Sequence, residues 1–260
     1  QAWKLVMTST SKNSNVIEAC HAENRIETLK ALSERLDLCQ KSLSDYLDTK
    51  RNSFARFFFI SDDELLSVLG SSDPTSIQVH MLKLFDNTKY LKFTRGANGI
   101  NGMGSSESEE FTFVENAGVD GAVEVWMTGV ESEMRRSLHA ISKEGVFYYA
   151  SQDRVQWVDD NLGMVGLLGT QIWWTWEVED VFRRVKDGNK HAMKIFADKL
   201  TSQLNDLVAV VRQQISKHMR KKVNCLLIID VHARDIVDTF VRDSILDERE
   251  FAWESQLRFY

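Results

Sequence analysis

The 260-residue sequence predicts a mainly α-helical fold of elongated multi-helix bundles with one inserted β-hairpin. Apolar residues recur every three or four positions over most of the chain, which is the period of an α-helix. Pro74 is the single proline, and because proline ends helices, its scarcity favours long uninterrupted ones. Glycines concentrate within residues 92–121, where the helical period stops. These observations divide the chain into a helical part, a hairpin and a second helical part.

Residues 1–91 are predicted to form the first helical bundle subdomain. A helix over about residues 17–51 would carry one apolar stripe, made of Ile26, Leu29, Leu32, Leu36, Cys39, Leu43 and Tyr46. Ser61 followed by Glu64 has the pattern of a capping box, so a second helix is expected to begin there and to end at Gly70. A third helix is expected over about residues 77–87.

Residues 92–121 are predicted to form the β-hairpin. The segments "INGMGS" and "EEFTFVE" flank the polar turn "SESE", and the second segment alternates apolar and polar residues. The segment "RGANGINGMG" lacks the spacing of a phosphate-binding loop, and its Asn-Gly pairs are typical of turns.

Residues 122–260 are predicted to form the second helical bundle subdomain. Helical stripes begin at Val123 and Val178, and a helix of about 28 residues is expected from Asn189. The basic run "KHMRKK" at 217–222 suits the C-terminus of that helix, because cations interact favourably with the helix dipole there.

Composition argues against several classes of partner. A net charge of −6 argues against nucleic acid as a partner, which would need a basic face. No apolar run is long enough for a membrane span, so no membrane is expected. Cys20, Cys39 and Cys225 are scattered, which predicts neither a disulfide framework nor a zinc site and fits a reducing compartment.

One segment raises the question of nucleotide chemistry. Residues 225–235 read "CLLIIDVHARD", and an aliphatic strand ending in an aspartate such as Asp230 holds magnesium in many ATPases. However, the chain contains no Gly-Lys dipeptide for a phosphate loop, and apolar residues continue at helical spacing beyond Asp230. We therefore interpret the segment as a helix buried on two sides. A loose acid–base cluster of His232 with Asp230 and Asp235 is the alternative. No catalytic, cofactor-binding or metal site is predicted.

Large aromatic residues are the remaining signal. They are expected to be core between packed helices or, for one or more of them, anchors of a docking surface. The candidate docking or packing anchors are Phe58, Trp126, Trp173, Trp174, Trp176 and Trp253.

Six segments in order resemble the dynein heavy chain family: "LDLCQKSLSDYLDTKRNSFARFFFISDDELLSVLG", "VHMLKLFDN", "VEVWMTGVE", "QIWWT", "VHARDIV" and "FAWESQLRFY". They span nearly the whole chain and are similar to the C-terminal part of the linker that precedes the first AAA+ module. "GLLGTQIWWT" and the terminal segment are most similar to axonemal outer-arm chains of the gamma type. Ala55 stands where the family usually has proline, and Thr88 where it usually has an aliphatic residue.

The resemblance implies a mechanical linker, or lever, that passes ATP-driven changes of the AAA+ ring into minus-end-directed movement on microtubules. ATP and Mg would lie in the ring of the parent chain and not in this segment. The implied partners are that ring, other dynein heavy, intermediate and light chains, and microtubules through the parent motor, in the cytoplasm and cytoskeleton, in the axoneme of a cilium or flagellum. The resemblance implies bending between the bundle subdomains, and the hairpin and the connector 147–163 are the expected places of compliance or of contact with the ring. A static helical scaffold for partner subunits is the alternative.

Overall fold

The computed structural model describes all 260 residues and contains eleven α-helices, two 3-10 helices and three β-strands, which confirms the mainly α-helical prediction. The α-helices are α1 (Ala2–Lys12), α2 (Val16–Cys20), α3 (Arg25–Ser53), α4 (Asp62–Gly70), α5 (Met81–Leu84), α6 (Val123–Tyr148), α7 (Arg154–Asp160), α8 (Gly163–Lys186), α9 (Ala192–Val211), α10 (Lys217–Asp243) and α11 (Phe251–Glu254). The strands are β1 (Thr88–Phe93), β2 (Gly99–Ser105) and β3 (Glu110–Gly118), and the 3-10 helices are Ala55–Phe59 and Pro74–His80. None of the helices has the length and apolarity that crossing a membrane requires.

The long first helix differs from the prediction at its start and in its burial. It begins at Arg25 instead of residue 17, because Asn24 adopts a left-handed conformation that separates it from the short α2. Leu47 is its buried residue, whereas the stripe from Ile26 to Tyr46 stays largely exposed. The helical period therefore predicted the helix correctly but not which residues another element covers.

The second helix starts as predicted, and the third does not. Ser61 accepts from the backbone N–H of Glu64 while Glu64 accepts from that of Ser61, so the capping box of α4 is present. Residues 77–87 are not one helix: a 3-10 helix precedes the one-turn α5, and β1 follows. The side chain of Gln78 ties the 3-10 helix to the sheet, because it bonds both the N–H and the C=O of Leu91 in β1, at 2.9 and 2.8 Å.

The predicted hairpin is part of a three-stranded antiparallel sheet of order β1-β2-β3. The two predicted strands are β2 and β3, and β1 adds a third strand that begins before residue 92. Gly104 of β2 lies directly beneath the ring of Tyr90 in β1, so any added Cβ would clash with that ring. Glycine here permits close strand packing. The Asn-Gly pairs expected in turns lie elsewhere: Asn98-Gly99 leads into β2, and Asn101-Gly102 is within β2 and not in a turn.

A first core of 18 buried residues joins α3, α4, the sheet and the start of α6, and it includes Phe57, Leu65, Ile100 and Met127. Two further cores lie in the second half of the chain. One of 12 residues joins α8, α9, α10 and α11, and one of seven joins α7, α9 and α10.

The basic run 217–222 lies at the N-terminus of α10, so its predicted place at a helix C-terminus is wrong. The preceding helix α9 ends at Val211, and Ser216 caps α10 by accepting from the N–H of Met219 at 3.0 Å. The basic side chains instead donate hydrogen bonds to carbonyl groups at the C-terminal ends of neighbouring helices. Arg220 donates to the C=O of Val211, and Lys222 donates to carbonyl groups at the C-terminus of α7.

Candidate functional site

The segment 225–235 is helical, as interpreted from the sequence, and Asp230 lies within α10. Its carboxylate accepts from Nη2 of Arg154 at 3.0 and 3.2 Å, and Nη1 of Arg154 donates to Oγ1 of Thr170 at 3.0 Å. The Arg154 and Asp230 side chains are only 7% and 12% exposed. The aspartate that resembled a magnesium ligand is thus neutralised by a buried arginine.

Burial also determines the protonation of this region. It raises the pKa of Asp230, and the charge and hydrogen bonds of Arg154 oppose that rise. Burial, together with the negative charges of Glu177 and Asp230, raises the pKa of Tyr149 to about 12. Tyr149 is therefore neutral, and its ring stacks on Trp173 with centroids 5.2 Å apart.

The alternative acid–base cluster is not assembled. His232 is exposed, whereas Asp230 turns to Arg154. Asp235 pairs with Arg234 at 2.6 Å on the surface. The structure shows no group of three or more His, Cys, Asp or Glu side chains placed to hold a metal ion.

The six aromatic anchors separate by burial. Trp126, Trp174 and Trp253 are buried in the cores. Trp173 is partly buried and donates through Nε1 to the C=O of Val146 at 2.7 Å. Phe58 and Trp176 are 60% and 49% exposed. Packing therefore accounts for the first four, and docking stays a prediction for the other two.

The most distinctive feature is the junction between the two halves of the chain, formed by α6 and by the β2–β3 turn. Helix α6 has 26 residues, about 39 Å at 1.5 Å per residue. Its first turns carry Trp126 and Met127 into the first core. Its last turns meet the second half, where Nε1 of Trp157 donates to the C=O of Gly145 at 2.8 Å.

The β2–β3 turn makes a second connection across the same junction. Glu109 accepts from the N–H of Gly163 at 2.6 Å, where a carboxylate is favoured because α8 begins there. Glu109 also lies 3.3 Å from Nε2 of His218, and Glu107 pairs with Lys221 at 2.7 Å. The chain halves are thus held at two separate places.

Sequence reasoning did not find this second connection. Its partners are 54 and 114 residues apart in the chain, so no local pattern links them. Charge complementarity could have indicated it, because "SESEE" is acidic and "KHMRKK" is basic. In the structure the two segments are in contact.

Gly145 allows the close approach of α6 to α8, and we expect Gly145→Ala to lower the free energy of unfolding by about 1–3 kcal/mol. An added Cβ would clash with Val165 and lie 2.8 Å from Oδ1 of Asn161. Gly129→Ala is the matched control in the same helix, because nothing lies within 4 Å of its added Cβ. It should be neutral or stabilise by up to about 1 kcal/mol through helix propensity. Urea denaturation of both variants measures this, and equal stabilities would contradict the close-packing account.

Comparison with known proteins agrees with the resemblance of the sequence motifs. A family model described as dynein heavy chain, N-terminal region 2, matches residues 1–145. The dynein-1-alpha heavy chain of the flagellar inner arm I1 complex of Chlamydomonas reinhardtii is 64% identical over 258 residues, covering 99% of this chain. Dynein axonemal heavy chain 10 of Homo sapiens is 51% identical over 264 residues, covering 100% of this chain. Dynein axonemal heavy chain 9 of Homo sapiens is 37% identical over 262 residues, covering 98% of this chain.

The chain spans about 6% of the length of each of these relatives. None of these three names specifies an outer-arm chain of the gamma type. Near-complete coverage of this chain at up to 64% identity nevertheless leaves no ambiguity of family. With the family model matching residues 1–145, these similarities show that the chain belongs to the dynein heavy chain family.

Proposed function

We propose that this chain is a mechanical linker segment of an axonemal dynein heavy chain. It would pass an ATP-driven conformational change of the AAA+ ring into minus-end-directed movement on microtubules. The observation that supports this role is the doubly connected junction, where α6 and the β2–β3 turn tie the two halves together. A body held at two places resists bending more than one held by a single helix.

Stiffness at this junction has a physical basis. Bending α6 relative to α8 would separate close-packed groups, including the Gly145 contact and the Trp157 hydrogen bond. Moving the β2–β3 turn away from the second half would break the contacts of Glu107 and Glu109 with α8 and α10. The connector 147–163, which the sequence suggested as compliant, contains α7 with buried Trp157 and Val158. Packing of this kind favours force transmission through the connector.

The proposal also covers the catalytic activity, the partners and the location of the parent heavy chain, which we infer from the family. ATP hydrolysis with Mg would occur in the ring of the parent chain, and this segment itself would not be an enzyme. Its partners would be that ring and other dynein heavy, intermediate and light chains, in the axoneme of a cilium or flagellum. The 64% identical relative is named as an inner-arm chain, so an inner-arm type is better supported than an outer-arm gamma type.

A static scaffold that binds partner subunits is the second candidate. The exposed rings of Phe58 and Trp176 favour it, because exposed aromatic residues are common at interface hot spots. Energy transfer between dyes on this segment and on the first AAA+ module of the parent heavy chain separates the two functions. The lever requires a distance that changes between nucleotide states, and an unchanging distance would support the scaffold.

The turn contact provides a functional prediction. In the full heavy chain, Glu107→Lys should slow microtubule gliding while basal ATPase activity is largely unchanged, because Lys221 then repels the turn. The slowing should be modest, because the Glu107–Lys221 pair is exposed and such a pair is worth only roughly 0.2–1 kcal/mol. Gliding velocity and ATPase rate are measured on the same preparation.

Charge exchange provides the control for this experiment. Glu107→Lys combined with Lys221→Glu restores the attraction, and gliding should recover. Glu248→Lys changes a pair of similar exposure with Lys186, away from the junction, and should leave gliding unchanged. Wild-type velocity in Glu107→Lys would contradict a mechanical role for the turn. Deleting the whole hairpin is a poorer test because Ile100 and Met103 belong to the first core.

A further inference from the structure

Residues 255–260, called here the C-terminal segment, contain no helix or strand and are attached to α8. The backbone N–H of Phe259 donates to Oγ1 of Thr175 at 3.0 Å. The hydroxyl of Tyr260 donates to Oε1 of Glu179 at 2.8 Å. Because Thr175 and Glu179 are four positions apart in a helix, they lie on one face of α8. Two consecutive residues of the segment are thus held on consecutive turns of α8.

The two attachments differ in burial. Thr175 is 1% exposed, and its hydroxyl donates to the C=O of Gln171 at 2.9 Å while it accepts from Phe259. Both hydrogen bonds of this hydroxyl are therefore made inside the protein. Tyr260 is 81% exposed, so water competes with Glu179 for its hydroxyl. Thr175 is thus the firmer of the two attachments.

Helix α8 also reaches the junction between the two halves of the chain. Its first residue, Gly163, donates its N–H to Glu109 of the β2–β3 turn. Thr175 lies about 18 Å farther along the helix, at 1.5 Å per residue. Between these two places α8 is packed through buried residues such as Val165 and Thr170, and bending it there would separate close-packed contacts. One stiff element therefore connects the junction with the C-terminal segment.

We propose that Thr175 is the positioning residue through which motion passes from the C-terminal segment into α8, and that α8 carries this motion to the junction. This inference rests on the proposed lever function, in which the AAA+ ring follows the C-terminal segment. The rival route runs through Trp253, which precedes the segment and is 0% exposed in the core shared by α8, α9, α10 and α11. That route does not require the hydroxyl of Thr175.

The attachment itself is tested on the 260-residue chain by amide hydrogen exchange, followed by ¹H–¹⁵N NMR. Thr175→Val removes the hydroxyl and keeps nearly the same shape, so the Phe259 amide should exchange about two- to tenfold faster, the range expected for one lost hydrogen bond. Thr175→Ser keeps the hydroxyl and should keep slow exchange. Thr239→Val is the matched control, because the hydroxyl of Thr239 donates to the C=O of Asp235 in its own helix and has no contact with the segment. Unchanged exchange in Thr175→Val would overturn the proposal.

The same three variants in the full heavy chain test transmission. Thr175→Val should lower the velocity of microtubule gliding with basal ATPase activity unchanged, whereas Thr175→Ser and Thr239→Val should keep the wild-type velocity. Wild-type gliding of Thr175→Val, despite faster exchange at Phe259, would overturn this inference in favour of the route through Trp253 and leave the lever function intact. An unchanging distance in the energy-transfer experiment would instead contradict the lever function, and this inference with it.

Discussion

Replacing Arg154 by methionine is expected to lower the free energy of unfolding at neutral pH by about 3–5 kcal/mol, because it leaves a buried carboxylate unpaired. Asp230 accepts two contacts from Arg154 at 3.0 and 3.2 Å, and its side chain is 12% exposed. Methionine keeps much of the length and apolar bulk of arginine. The decrease in the free energy of unfolding therefore measures mainly the loss of the positive charge. Urea denaturation followed by circular dichroism measures it.

The cost of Arg154→Met should depend on pH. Burial already raises the pKa of Asp230 in the folded protein, and removing Arg154 removes the main influence that lowers it. A folded state that binds its proton more tightly than the unfolded chain loses stability as pH rises from the ordinary carboxyl pKa through the raised one. The deficit should therefore be smallest below the ordinary pKa and complete above the raised one.

Restoring neutrality provides the control for this prediction. The double variant Arg154→Met with Asp230→Leu removes both charges, and it should recover most of the stability at neutral pH. Arg242→Met breaks a surface pair whose arginine is 71% exposed, and should change stability by less than about 1 kcal/mol. A cost below about 1 kcal/mol for Arg154→Met at neutral pH would show that the ion pair is not buried as described.

Trp253→Ala should destabilise the second half of the chain by about 3–5 kcal/mol, because it opens a cavity in a close-packed core. The side chain is 0% exposed, and its ring lies 5.4–6.2 Å from the rings of Trp174, Phe182 and Phe240. The removed ring is therefore surrounded by partners that cannot all move into the space. Thermal and urea unfolding measure the loss.

Trp176→Ala is the control for Trp253→Ala. It removes the same side chain, but from a residue of α8 that is 49% exposed. Its cost should be smaller, about 1–2 kcal/mol, because the loss is limited to its contacts with the ring of Trp173 and with Arg183. Similar losses for the two variants would contradict the division of the aromatic anchors into packing and exposed residues.

The elements that the sequence predicted well are those whose signal is local. The capping box of Ser61 and Glu64, the two strands that flank "SESE" and the helical character of residues 225–235 follow from residues within a few positions of one another. The family followed from motifs in order along the chain. In each case the predictive residues were neighbours in sequence.

The predictions that failed concerned contacts with distant parts of the chain. The helix expected over residues 77–87 is instead a 3-10 helix followed by the one-turn α5, and Gln78 of the 3-10 helix bonds the backbone of Leu91 in β1. The basic run was placed at the wrong end of a helix because its partners are carbonyl groups of α7 and α9. The site could be predicted only in part. The sequence pattern singled out Asp230, but no local pattern linked it to Arg154.

The amino-acid sequence by itself determined the helical class, the family and the absence of a phosphate-loop pattern, because spacing and motif are properties of neighbouring residues. The tertiary structure alone decided that Asp230 pairs with Arg154, 76 residues away. It also decided that Glu107 of the acidic β2–β3 turn pairs with Lys221 of α10. Those pairings depend on how the helices pack, and the free energy of that packing comes from buried surface gathered from the whole chain.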